Sequence, residues 1–169
     1  MSHPETDNPL GKELLEFIQR RLDESTLTFQ TTLPPQRAQY AQWPEWVLPQ
    51  LRVKLVEGGV GKLYRHQAEL AQAAWEGEDA VIATGTSSGK SLGYQLPILS
   101  RLAQEPTACA LYLTPTKALG SDQLQAVLEL CRGIPALKTV VPAPYDGDTP
   151  QESGGGVSDQ TRFNISNPD

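Results

Sequence analysis

Apolar residues recur along this chain at two different periods, and the change between them locates its elements. Leu14, Phe17, Ile18 and Leu22 stand three or four positions apart behind Asn8-Pro9, a favourable helix start, which predicts an amphipathic packing helix over Pro9 to Leu22. From Asp23 to Trp46 that period is lost. Thr, Gln and Pro surround isolated aromatics (Phe29, Tyr40, Trp43, Trp46), the pattern of an extended arm lying on a domain. Pro49 to Glu57 then reads as a short helix closed by Gly58-Gly59, and His66 to Glu76 as another closed by Gly77. Beyond Gly77, short apolar runs alternate with helical stretches. The expected order is strand Asp79 to Ala83, helix Lys90 to Ala103, strand Ala108 to Thr114, helix Lys117 to Cys131, and strands Lys138 to Val141 and Arg162 to Ser166. A polar loop, Pro142 to Gln160, carries Gly154-Gly155-Gly156 and is expected to be mobile. This alternation predicts an α/β fold whose parallel sheet is flanked by helices through right-handed crossovers, with a helical and extended N-terminal arm over 1–60 ahead of the main domain, 61–169.

Composition narrows the function classes. A chain of 169 residues has the length of one domain with a real core. No apolar stretch approaches the roughly 18 residues of a membrane helix, and the acidic opening MSHPETDNP is unlike a signal peptide, so a cytoplasmic protein is expected. Cys109 and Cys131 suit reduced thiols rather than a disulfide or a metal site. A net charge of −6 and a pI near 4.9 exclude a protein that grips nucleic acid through overall charge. Any such binding is local. Arg52, Lys54, Lys62 and Arg65 gather within 51–66 against Glu57, but two elements sharing four cations read as a solvated face.

The chemistry concentrates at Thr84 to Ser91, TGTSSGKS, set between an expected strand and an expected helix. Glycines let the backbone turn its N–H groups inward, the helix N-terminus adds a positive dipole end, and Lys90 and Ser91 can meet phosphate and Mg2+. A strict phosphate-loop spacing would place glycine where this chain has Thr84. Taken by themselves these residues also fit a Gly/Ser-rich turn with a surface lysine, or the loop of another P-loop NTPase such as a small kinase. Gln67 precedes Lys90 by 23 positions, and its side-chain amide carries both a donor and an acceptor. Pro115-Thr116-Lys117 follows an expected strand and opens a helix, which makes Thr116 an N-cap whether or not a phosphate docks there.

Together four segments resemble the superfamily 2 helicases of the DEAD/DEAH-box type, in the Hrq1 and YprA-like group: LYRHQAEL (63–70), ATGTSSGKSLGYQLPIL (83–99), LYLTPTKAL (111–119), and YDGDTP with SNPD (145–150 and 166–169). The resemblance implies an incomplete RecA-like P-loop domain over 61–169 and an ATP-dependent nucleic-acid helicase as the parent function. It implies a nucleotide site made of Gln67, Thr84, Gly85, Thr86, Ser87, Ser88, Gly89, Lys90 and Ser91, with ATP and Mg2+ as cofactors. In it Lys90 meets the β- and γ-phosphates, Ser91 ligates Mg2+, and Gln67 reads the adenine edge. Tyr64 or Arg65 are candidates to stack on the base, Trp43 and Trp46 stand near, and the stacking partner stays open. Pro115, Thr116, Lys117 and Asn167 are the implied contacts to a nucleic-acid strand, weak in so acidic a chain. YDGDTP is expected to be a structural turn, because Asp146 and Asp148 repel phosphate. The family's D-E-x-H carboxylates and its second RecA-like domain do not occur within the 169 residues, so no catalytic residue is assigned and the expectation is a first-domain fragment that binds nucleotide without turning it over. SGGGVSDQ also departs from the arginine-rich stretch expected there. A non-enzymatic remnant or binding module is the alternative.

Overall fold

Helix α1, Pro9–Arg21, begins on a proline, whose missing N–H costs nothing in a first turn, and ends on Arg20 and Arg21, which suit the negative helix end. It belongs to the first of two compact units of a computed structural model, Met1–Arg37 and Ala38–Asp169. The structure describes residues 9–21, 29, 31, 37–85, 88–144 and 161–167. No helix among them is long and apolar enough to cross a membrane.

Within the second unit, Tyr40–Ala41 (β1) pairs antiparallel with Leu63–Tyr64 (β2), so Tyr40 stands opposite Tyr64 and Ala41 opposite Leu63. Helix α2, Pro49–Glu57, lies between them and starts on its proline. Helix α3, Arg65–Glu76, follows β2 directly and stops at Gly77, whose φ of 84° is the left-handed geometry that glycine reaches without strain. Helix α4 spans Ser91–Gln104, strand β3 Ala110–Leu113, and helix α5 Lys117–Cys131. A 3-10 turn at Pro135–Leu137 precedes strand β4, Pro142–Pro144, and strand β5 is Phe163–Ser166.

The main sheet is parallel, in the order β3-β5-β4, with Ala110 and Pro142 both beside Phe163. Two expected strands differ from this. Residues 79–83 form no strand and pair with none among the described residues, and Val81 is 97% exposed. Their apolar run matches a strand, yet a strand exists only through a neighbour's hydrogen bonds. Lys138–Val141 gives way to the end of the 3-10 turn, and the strand forms instead at Pro142–Pro144. Prolines cannot donate to a ladder, and β4 tolerates two of them because it is the sheet edge, paired among the described residues only with β5. Residues 145–160, and so most of the expected mobile loop and its YDGDTP and SGGGVSDQ segments, lie outside the described residues.

The core joins α2, α3 and α4 through Leu51, Leu55, Leu63, Ala71, Leu96, Leu99 and Leu102, and continues through Val127, Ile134, Leu137, Phe163 and Ile165 around α5 and the sheet. Each fully buried leucine contributes about 1.5–3 kcal/mol. Close approach of α3 to α4 depends on Gly93, where a Cβ would stand 2.6 Å from Leu70 Cδ2 and 3.2 Å from Leu70 Cβ. Trp46 stacks on Trp75 at 4.5 Å, the Arg101 guanidinium covers the Trp75 ring at 4.0 Å, and Trp46 Nε1 donates to Gln72 Oε1. Cations then close helix ends: Lys54 donates to the Glu129 and Arg132 carbonyls at the end of α5, and Arg162 donates to Leu102 O at the end of α4 and to Ala108 O before β3.

Candidate functional site

Packing α3 on α4 carries the first turn of α3 to the loop ahead of α4. Gln67 stands at the third position of α3, 3% exposed, and its Oε1 accepts from Tyr64 N at 2.8 Å, which satisfies a helix-start amide. Its Nε2 donates to Gly89 O at 2.8 Å. Beside it, His66 Nε2 lies 3.0 Å from Ser88 O, and because a carbonyl can only accept, that nitrogen carries the proton. Gly89 has φ 69°, and a Cβ there would fall 2.6 Å from Gln67 Nε2, so both the backbone and the space require glycine.

Lys90 caps the start of α4 and turns its side chain back into the loop. Its ammonium donates to Gly85 O at 2.7 Å, Thr84 O at 3.4 Å, Thr84 Oγ1 at 3.2 Å and Ser88 Oγ at 3.3 Å. Thr84 Oγ1 and Ser88 Oγ are themselves 2.5 Å apart. The cation is thus ringed by oxygens at a helix N-terminus. A phosphate would offer it ionised oxygens in place of neutral ones, and bonds between charged partners are about twice as strong. This donor set, one ammonium with the loop hydroxyls and Ser91 at the first helical position, fits a nucleotide's phosphates and their cation. Structure brings Gln67, Thr84, Gly85, Ser88, Gly89, Lys90 and Ser91 into one neighbourhood; Thr86 and Ser87 lie outside the described residues.

The base-stacking candidates are engaged elsewhere. Tyr64 stacks on Tyr40 at 5.2 Å on one side and on His66 at 5.6 Å on the other, and Arg65 Nε donates to Glu69 Oε1 at 2.6 Å. Trp46 is taken by Trp75, and Trp43 Nε1 donates to Gly61 O. Gln67 likewise has both ends of its amide occupied within the protein. His66 was absent from the sequence-based site. Its only signal was adjacency to Gln67, since its partner Ser88 lies 22 positions away.

A second cluster forms where β3 and β5 end and α5 begins. The Thr116 side chain accepts from Leu119 N at 3.3 Å as the N-cap of α5. Asn167 Nδ2 donates to Thr114 O at 3.0 Å, and the buried Thr114 hydroxyl donates to Thr116 O at 3.1 Å, so β5 fixes the turn into α5. Thr114, Lys117, Gly120, Ser121, Ser166 and Asn167 line a hollow of about 280 Å³. Lys117 in this lining is exposed, as is Pro115 two positions before it. Under the sheet, Tyr94 donates to Gln123 Oε1 at 2.9 Å and meets the Tyr112 hydroxyl at 3.0 Å; burial first, then that bond, pushes the Tyr112 phenol above its ordinary range.

The family described as DEAD/DEAH box helicase matches residues 64–168, which contain both clusters. The chain is 34% identical over 160 residues to the "Uncharacterized ATP-dependent helicase YprA" of Bacillus subtilis (strain 168), covering 94% of this chain and 21% of that protein. It is 37% identical over 110 residues to the "ATP-dependent helicase hrq1" of Schizosaccharomyces pombe, covering 65% of this chain and 10% of that protein. Among solved structures, that of the DUF1998 helicase MrfA bound to DNA and AMPPNP superposes with a TM-score of 0.73 at 35% identity, over 80% of this chain and 19% of that one. The chain therefore spans about a tenth to a fifth of the length of these relatives.

Proposed function

The chain belongs to the DEAD/DEAH box helicase family, whose relatives here are named ATP-dependent, and from that premise we propose that its second unit is the nucleotide-binding part of an ATP-dependent nucleic-acid helicase. One observation carries this reading: the Lys90 ammonium, ringed by Thr84, Gly85 and Ser88 oxygens at the N-terminus of α4. Lys90 would exchange those partners for the β- and γ-phosphate oxygens of ATP, and Ser91 would hold Mg2+, which would offset the charge of the phosphates. The hollow between β3, β5 and α5 would take a nucleic-acid backbone. Lys117 in its lining offers one cation and the neighbouring Thr116 one hydroxyl, enough to position a strand but not to read its sequence.

Calorimetry with Mg·ATP on the 169-residue chain tests the proposal. Lys90→Ala removes a charge-assisted contact of about 1.5–3 kcal/mol, a loss of roughly 10- to 150-fold in affinity. Equal binding heats and affinities in the two proteins would place any nucleotide elsewhere.

A further inference from the structure

We propose that His66 is a positioning residue of the nucleotide loop: with Gln67 it pins the carbonyls of Ser88 and Gly89 against α3 and so aims the next two amides outward. In a trans peptide the C=O and N–H point in opposite directions, and the described chain has no cis bond. Holding Ser88 O at 3.0 Å from His66 Nε2, with Gln67 Nε2 at 3.5 Å, therefore turns the Gly89 N–H away from α3, and holding Gly89 O at 2.8 Å from Gln67 Nε2, where Leu92 N also donates to it at 3.2 Å, turns the Lys90 N–H the same way. Without this clamp the loop has a choice. Glycine at 89 occupies φ 69° but reaches other conformations at little cost, so the Ser88–Gly89 peptide can rotate and present its carbonyl, the negative end of the dipole, to an approaching anion. Two donors from one helix turn remove that alternative. Behind His66, the Tyr40–Tyr64–His66 column of stacked rings fixes the imidazole plane, and Gly93 lets Leu70 seat α3 close enough for the reach.

This inference rests on the nucleotide-loop reading, and its test separates the two. Affinity of the full chain for inorganic tripolyphosphate and for Mg·ATP is measured by calorimetry in wild type, His66→Phe, His66→Gln and Lys90→Ala. Phenylalanine keeps the stacked ring and loses the N–H; glutamine restores a donor at similar reach without a ring. One neutral hydrogen bond corresponds to roughly 3- to 10-fold, so His66→Phe should weaken both ligands by that factor and His66→Gln should bind within about twofold of wild type. Gly89 and Lys90 amide resonances should shift on adding tripolyphosphate to wild type and respond less in His66→Phe. If His66→Phe does not fold, His66→Asn, whose amide stops short of Ser88 O, should show the same loss. Wild-type affinity in either donor-less variant, with Lys90→Ala impaired, overturns the clamp and leaves the loop standing. A wild-type chain that binds no tripolyphosphate, or binds it as Lys90→Ala does, overturns the loop reading itself.

Discussion

Gly93→Ala is the sharpest probe of how packing places the site, because one methyl group carries two opposed effects. In an exposed helix this change stabilises by about 1 kcal/mol through backbone entropy. Here the new Cβ would stand 2.6 Å from Leu70 Cδ2, 3.1 Å from Cγ and 3.2 Å from Cβ. Rotating the leucine relieves the first contact but not the last, so α3 must draw back from α4 by a few tenths of an ångström. Overpacking of that kind costs about 1–3 kcal/mol, which leaves a net loss of about 1 kcal/mol. In a Leu70→Ala background the two closest atoms are gone and only the 3.2 Å contact with Cβ remains, so most of the overpacking is relieved and the same glycine change should be near neutral, within about 0.5 kcal/mol. Urea unfolding followed by the fluorescence of the stacked Trp46 and Trp75 reads all four proteins and gives a coupling of about 1 kcal/mol. A cost of Gly93→Ala as large in the Leu70→Ala background as in wild type would refute this packing.

Three further expectations follow from particular contacts. Single-strand binding around Thr116, Lys117 and Asn167 should involve two or three phosphates, giving a slope of log K against log salt of about −1.4 to −2.1; a far steeper slope in a salt titration would require a basic surface this chain of net charge −6 does not carry. Thr116→Ala removes the N-cap bond to Leu119 N and should cost about 1 kcal/mol in a denaturant melt, while Thr116→Ser should recover most of it. Burial pushes the Cys131 thiol up to about 11 from 9, against the opposing pull of Lys54, while Cys109 is exposed. The unfolded chain releases the Cys131 proton first, so stability from this group is complete below pH 9 and falls as pH rises toward 11; at pH 8 a thiol reagent should label Cys109 promptly and Cys131 only on unfolding. Equal labelling rates at pH 8 would contradict that burial.

What the sequence determined by itself is what local chemistry controls. Pro49 at a helix start, Gly58 after its end, and Thr116 before Lys117 specify caps from neighbours in the chain, so α2 and α5 stand where the apolar period and these residues place them. The glycine turn at Gly89 and the start of α4 after Lys90 were legible for the same reason, since they lie within a few positions. Strands were less so. Residues 79–83 have a strand's composition but no partner among the described residues, and Pro142–Pro144 is a strand despite its composition because it sits at an edge beside β5. Only tertiary structure decided the contacts of His66 and Gln67. The fold gives the Gln67 amide Tyr64 N and Gly89 O, and gives His66 the carbonyl of Ser88. The contacts to Gly89 and Ser88 each join residues 22 positions apart. They exist because Gly93 lacks a side chain where Leu70 must fit, so the distance between two helices sets which polar groups meet, and no local pattern encodes that distance.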